Sequence, residues 1–177
     1  MGDSPSAEYS LDEDGVRAML RAAAPQLADL PLSLFAEGWD NAMWRLGADL
    51  VVRVPRRALA VPLIANEQRA LPEIGPALAV LGIRTPAPVL AGAPNDVFPR
   101  PWSVIPWIEG SNALASSRVE NASWAPRLAE ALRALHAPAP DDAPVNPVRG
   151  RELTTRDDAM RPRLDALPPR SALRDAW

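Results

Sequence analysis

Three features of the sequence have residue types and an order that suit phosphate chemistry. Arg53 lies in Val51-Val52-Arg53-Val54-Pro55-Arg56, a valine-rich run that reads as a strand. Alternation puts Arg53 on the face opposite Val52 and Val54. A cation inside such a strand is costly to bury unless it meets an anion. Taken alone, Arg53 reads as a solvent-facing residue on an open sheet face. Upstream, Phe35-Ala36-Glu37-Gly38-Trp39-Asp40-Asn41 falls between two predicted strands. A glycine at such a turn lets backbone N–H groups approach a phosphate chain, although a lone hairpin glycine is most often structural. Downstream, Glu67 in Ala65-Asn66-Glu67-Gln68-Arg69 falls on a predicted helix, where an isolated glutamate is ordinarily solvated. The order carries more than any member: a turn that can hold phosphate, a strand cation, then a carboxylate that can hold the cation.

The elements that position these residues can be read from periodicity. Ser10–Leu27 reads as a helix, with Val16, Met19, Leu20 and Ala23 at helical spacing and Asp12–Asp14 at its positive end. Leu30–Phe35, Ala42–Leu46 and Leu50–Val54 read as strands of an antiparallel meander, joined at Gly38 and at Gly47-Ala48. Pro62–Leu71 reads as a short helix with proline in its first turn. Pro72–Ala87, broken by Pro76, Gly82 and Pro86, is expected to hold a short helix and a loop. Val89–Ala91 and Trp102–Ile108 read as two more strands, separated by a connection carrying Pro94, Pro99 and Pro101. Glu109–Asn121 reads as a linker. Ser123 is expected to cap an amphipathic helix whose stripe is Trp124, Leu128, Ala131, Leu132 and Leu135. Ala137–Pro147 is proline-rich coil, and Thr154-x-x-Asp157 resembles a capping box opening a last helix over Arg156–Leu167. No internal repeat is present. Strands precede residue 110 and helices follow it.

Composition narrows the function classes. The 177 residues suit one ordinary domain, and a 47% hydrophobic fraction suits a folded one. The net charge of −3 is spread without a basic stripe, which argues against a nucleic-acid partner. There is no cysteine, so disulfides, thiolate metal sites and a cysteine nucleophile are excluded. The polar, acidic start is unlike a signal peptide, and no apolar run approaches the ~20 residues that span a bilayer. A cytoplasmic protein with no membrane partner is the expectation. All 19 cationic residues are arginine. Any site that ordinarily uses lysine must therefore use arginine. The single histidine, His136, ends the predicted 124–135 helix and belongs to no His-x-Asp loop. Ser123 and Thr154 have no base near them in sequence, so a hydrolase triad is not supported. Asp141-Asp142 and Asp157-Asp158 read as a solvated loop and a helix start, not as metal ligands.

A phosphate-loop hairpin, a strand cation and a helix carboxylate, in that order, form the layout of a kinase small lobe. The chain resembles the aminoglycoside phosphotransferase family over nearly all its length from Leu11. The resemblance rests on Gly38-Trp39-Asp40-Asn41, on Arg53-Val54-Pro55-Arg56, on Glu67, and on Pro101 through Gly110 with its Trp107-Ile108-Glu109-Gly110 hinge pattern. Leu132-Arg133-Ala134-Leu135-His136 and Gly150-Arg151-Glu152-Leu153 are similar to later family segments. The resemblance implies an α+β fold: a protein-kinase-like small lobe with an antiparallel sheet of about five strands and a helix, then a hinge and a partial helical large lobe. It implies an N-terminal helix in 1–30, a nucleotide-binding small lobe in 31–108, and a linker with the first large-lobe helices in 109–177. Gly38 and Asn41 would sit in the nucleotide-positioning loop, Arg53 in the place of the kinase lysine, and Glu67 as its ion-pair partner. Ile105 would line the back of the base pocket, while Trp107 and Ile108 would present backbone groups to the purine edge.

The resemblance also implies ATP or GTP with Mg²⁺ as cofactors, and a small-molecule acceptor such as an aminoglycoside, a macrolide or a metabolite, hence antibiotic resistance where the acceptor is a drug. The family's His-Gly-Asp segment, its asparagine and its metal-binding aspartate lie beyond the part that resembles 156–167. The expectation is therefore a nucleotide-binding portion that ends before the catalytic loop, with no catalytic or metal-ligating residue of its own. The alternatives are a non-catalytic, pseudokinase-like module that binds nucleotide or a partner, and an inert gene remnant. The stripe along 124–135 would lack its usual cover, which predicts self-association.

Overall fold

The computed structural model describes residues 5–111, 113–146 and 152–166. Its centre is a five-stranded antiparallel sheet: β1 (Leu32–Glu37), β2 (Asn41–Leu46), β3 (Leu50–Pro55), β4 (Leu90–Gly92) and β5 (Trp102–Pro106). The spatial order is β1-β2-β3-β5-β4. The expected meander is present. Gly47, with φ of 59°, makes the left-handed turn between β2 and β3 that an L side chain resists. The last strand stops at Pro106, two residues short of the expected Ile108, because the ladder to β3 ends at the Leu50–Pro106 pair.

Strand alternation divides the sheet into two faces. Trp44, Leu46, Val52, Val54, Trp102 and Val104 are buried together with Val16, Met19 and Leu20 of helix α1 (Glu13–Ala23). α1 forms for local reasons: Asp12 accepts a hydrogen bond from the Gly15 N–H at 2.9 Å, and Glu13 and Asp14 favour its positive end. Arg17 then donates to the carbonyls of Ala28 and Leu30, at 2.9 and 3.2 Å, and fixes the chain as it enters β1. The helix is shorter than expected, ending at Ala23, with a 3₁₀ turn over Pro25–Leu27.

Helix α2 (Val61–Val80) corrects the sequence expectation. It runs unbroken through Pro72 and Pro76, where a short helix and a loop were expected. A proline removes the bond to the residue four before it. Pro72 and Pro76 are themselves four apart and exposed. Ile64, Gly75 and Leu78 hold the buried side. Helix α3 (Arg118–Leu135) is a second correction. It starts within the expected linker, because Ser117 and Glu120 form a reciprocal capping box. Ser123 does not cap it; its hydroxyl donates to the Glu120 carbonyl at 2.6 Å. Ala131 is buried, whereas Trp124, Leu128, Leu132 and Leu135 are 39–46% exposed. His136 follows as the C-cap.

The chain divides into two compact units between Pro144 and Val145. In the second, a 3₁₀ turn (Leu153–Arg156) leads into α4 (Asp157–Asp165). Thr154 does not cap this helix; it begins without a side-chain cap and carries an Arg161–Asp157 pair at 3.4 Å. Its expected end at Leu167 lies outside the described residues.

Candidate functional site

The sheet face opposite α1 carries Met43 and Arg45 from β2, Val51 and Arg53 from β3, and Ser103 and Ile105 from β5. The Cα pairs Met43–Arg53, Arg45–Val51, Val51–Ile105 and Arg53–Ser103 place them side by side. Arg53 is not left in solvent, as its strand alone suggested. It meets Glu67 of α2 in a bidentate ion pair: Nη1 donates to Oε2, and Nη2 to Oε1 at 3.1 Å. The two side chains remain 21% and 37% exposed. With its amide oxygen toward the guanidinium, Asn41 accepts from Arg53 Nη2 at 3.0 Å. Three sequence-predicted residues, Asn41, Arg53 and Glu67, therefore converge.

Gly38 lies in the turn that leads to Asn41, and its N–H donates to the Asn41 carbonyl at 2.9 Å. Its φ is not in the left-handed region, and an added Cβ would meet nothing closer than 3.6 Å. Glycine is therefore not demanded there by backbone conformation; what it provides is open space above the turn. Two arginines that the sequence reading did not assign hold this turn. Arg56 donates to the Gly38 carbonyl and pairs with Glu37 at 3.5 Å, while its own N–H donates to the Asp40 carbonyl. Arg57 pairs with Asp40 at 3.4 Å. The signal for them was hairpin register: once Asn41 faces Pro55, the residues that follow β3 must meet the turn.

Ile105 is buried on the Arg53 face, opposite Val51. Trp107 and Ile108 follow the end of β5. The Trp107 N–H is taken by the Asp49 carbonyl at 2.7 Å. The Trp107 ring stands edge-on to Phe35, with centroids 4.8 Å apart, and the Arg45 guanidinium lies over it at 3.8 Å. Phe35 reaches it from a bulge in β1, where the pairing skips from Leu34 to Ala36. Neither Phe35 nor Arg45 was legible as a site residue, because a bulge and a cation–π contact leave no spacing signature. Ile108 is exposed.

Gln68 was also missed. Its amide donates to the Trp102 carbonyl at 2.7 Å and to the Ser103 hydroxyl at 3.1 Å, tying α2 to β5. Further along, Arg69 donates to the Asp142 backbone carbonyl at 2.7 Å, while the Asp142 side chain is solvated, as the sequence suggested. A groove of about 770 Å³ lies between that part of α2 and the Ala134–Pro144 segment, away from Arg53. Among the described residues, no three His, Asp or Glu side chains converge as a metal centre would require. No helix among them is long and apolar enough to cross a membrane.

A model described as the phosphotransferase enzyme family matches residues 31–177. Among solved structures, the GDP complex of wild-type aminoglycoside 2'-phosphotransferase-IIIa is similar at a TM-score of 0.72 and 17% identity, over 94% of this chain and 56% of that one. The GDP and kanamycin complex of APH(2")-IIia is similar at 0.67 and 18%, over 91% and 55%. The gentamicin complex of APH(2")-IIa is similar at 0.55 and 18%, over 88% and 51%. At these identities the likeness is one of fold, and it bears out the kinase-like α+β expectation. The chain spans just over half the length of these structures. No curated protein sequence matches it.

Proposed function

This chain belongs to the phosphotransferase enzyme family, and from that premise we propose that residues 31–108 bind the nucleotide of a cytoplasmic kinase that moves the γ-phosphoryl group of ATP or GTP to a hydroxyl of a small molecule. Beyond residue 108, α3 and α4 are the first helices of the large lobe. The observation that carries this reading is the Arg53–Glu67 pair, with Asn41 beside it, on the sheet face that α1 leaves open. Arg53 binds the α- and β-phosphates. Glu67 and Asn41 engage three of its five N–H groups, and its positive charge and remaining N–H groups face the phosphates. Glu67 and Asn41 thereby hold the guanidinium in place, so little ordering remains to be done on binding. The turn from Gly38 to Asn41, clamped by Arg56 and Arg57, covers the phosphate chain. Ile105, buried opposite Val51, forms the back of the base site. Because the Trp107 N–H is engaged by Asp49, the hinge reads the base edge through the Trp107 carbonyl and the Ile108 N–H.

The similar folds seen with GDP, and with GDP and kanamycin, support a nucleotide and an aminoglycoside-class acceptor. Mg²⁺ accompanies the nucleotide in this chemistry. Among the described residues, no three His, Asp or Glu side chains gather to hold it. The test is calorimetric titration of the chain with ATP and with GTP in the presence of Mg²⁺. Saturable binding of at least one nucleotide, with little binding by Arg53→Met, is the expected result. Equal binding by wild type and Arg53→Met, or none by either, would overturn the reading.

A further inference from the structure

Glu67 can hold Arg53 only if α2 lies at the right height and rotation over the sheet, and the ion pair alone does not set either. The residue next to Glu67 does. Gln68 donates one amide group to two acceptors on β5, the Trp102 carbonyl and the Ser103 hydroxyl, at 2.7 and 3.1 Å. Ser103 is buried and is the Cα partner of Arg53 across the β3–β5 ladder. The tether therefore lands on the rung that carries the cation. Trp102 is fully buried in the core on the opposite face, so its carbonyl is a fixed point. A buried serine in a strand otherwise filled by Trp102, Val104 and Ile105 is costly unless its hydroxyl is used. Here it is used to receive α2.

We propose that Gln68, with Ser103 as its receiver, is the positioning residue that sets the Arg53–Glu67 pair for phosphate binding. The inference rests on the nucleotide-binding reading for its purpose, but the tether can be tested without nucleotide. Gln68 touches no phosphate itself. Its loss should leave a folded sheet with α2 still packed through Ile64 and Leu78, but with its register over β5 loosened, so that Glu67 grips the guanidinium less firmly.

The experiment uses the full chain with Gln68→Met, which keeps length and packing but lacks the donor, and Ser103→Ala, which removes one of the two acceptors. Two quantities are measured: rotation of the Arg53 guanidinium by ¹⁵N side-chain NMR, and affinity for ATP against affinity for adenosine. Gln68→Met should speed the Arg53 rotation and weaken ATP by about tenfold while leaving adenosine unchanged; Ser103→Ala should do the same to a smaller extent. A purely structural role would weaken ATP and adenosine together, with the Arg53 signal unchanged, and that outcome overturns the proposal. Unchanged Arg53 rotation with unchanged ATP binding overturns it as well. If the wild type binds no ATP, the nucleotide reading fails, and the Arg53 signal alone then decides whether Gln68 sets the pair.

Discussion

The two faces of the one sheet are built from the same strands and have opposite characters. On the α1 face, Leu46, Val52, Trp102 and Val104 are fully buried against Val16, Met19 and Leu20. On the other, Arg45 and Arg53 sit half-buried among Val51, Ser103 and Ile105. Alternation with a period of two lets each strand supply both. The first face removes apolar area from water and supplies stability. The second keeps charged groups partly wet, where an ion pair contributes little to stability. The comparison teaches that stability and candidate function are separable here by residue parity.

The largest expected effect tests the dry face. Trp102→Ala should cost about 3–5 kcal/mol of unfolding free energy, as large aromatic truncations in cores do. Urea unfolding followed by circular dichroism measures it. A loss under about 1 kcal/mol would mean that the dry face is not the stabilising one, and the comparison would break.

Next comes the open face. Arg53→Met and Glu67→Gln should each change stability by less than about 1 kcal/mol, since the pair is partly exposed. Arg53→Met should weaken ATP by about a hundredfold, through lost charge-assisted hydrogen bonds. Glu67→Gln, which leaves the cation but loosens its hold, should weaken it less. A stability loss as large as that of Trp102→Ala would erase the division between faces.

A smaller change sharpens the dry face at its edge. Gly92 on β4 is the Cα partner of Trp102, and a Cβ there would run into the Trp102 indole ring. Gly92→Ala should therefore destabilise by about 1–3 kcal/mol through overpacking, with ATP affinity unchanged. Thermal unfolding and the same titration check both halves. Gly92→Ala as stable as wild type would show that the indole can shift and that the dry face is looser than its burial suggests.

Much of this was legible in the sequence, for physical reasons that differ by residue. The strands could be read because burial on one face imposes alternation, as in Val52-Arg53-Val54. The Arg53–Glu67 pair could not be read from either residue, because fourteen positions separate them; only the resemblance to a kinase layout joined them. The continuity of α2 was hidden because Pro72 and Pro76 carry a local breaking signal that tertiary packing of Ile64, Gly75 and Leu78 overrides. The start of α3 was legible and misread. Ser117-x-x-Glu120 is a capping box in plain sequence, but the apolar stripe that begins at Trp124 draws the cap to Ser123. Gln68 and Arg45 act through partners that the fold delivers from other strands, so spacing alone could not assign them.

The smallest effect serves as a control outside both faces. The Ser117 hydroxyl accepts from the Glu120 N–H at 3.2 Å, and the Glu120 carboxylate accepts from the Ser117 N–H at 2.7 Å. Hydrogen bonding of the carboxylate to the Ser117 backbone N–H first, and to the Ser117 side chain second, lowers the Glu120 carboxyl from its ordinary value of 4.5, while desolvation opposes it. A carboxyl lowered in the folded state stabilises the fold above its unfolded value and loses that contribution as pH falls through the folded one. α3 should therefore fray below pH 4.5, and less so in Glu120→Gln, whose amide does not titrate. Ser117→Ala should cost about 1 kcal/mol at neutral pH. Hydrogen exchange of the α3 amides measures both. Since the box touches neither face of the sheet, protection of β2, β3 and β5 should not change with either variant. Exchange that accelerates in those strands as well would mean that α3 and the sheet unfold as one unit, and the separation of stability from site would then have to be drawn at the level of that unit and not of the sheet's two faces.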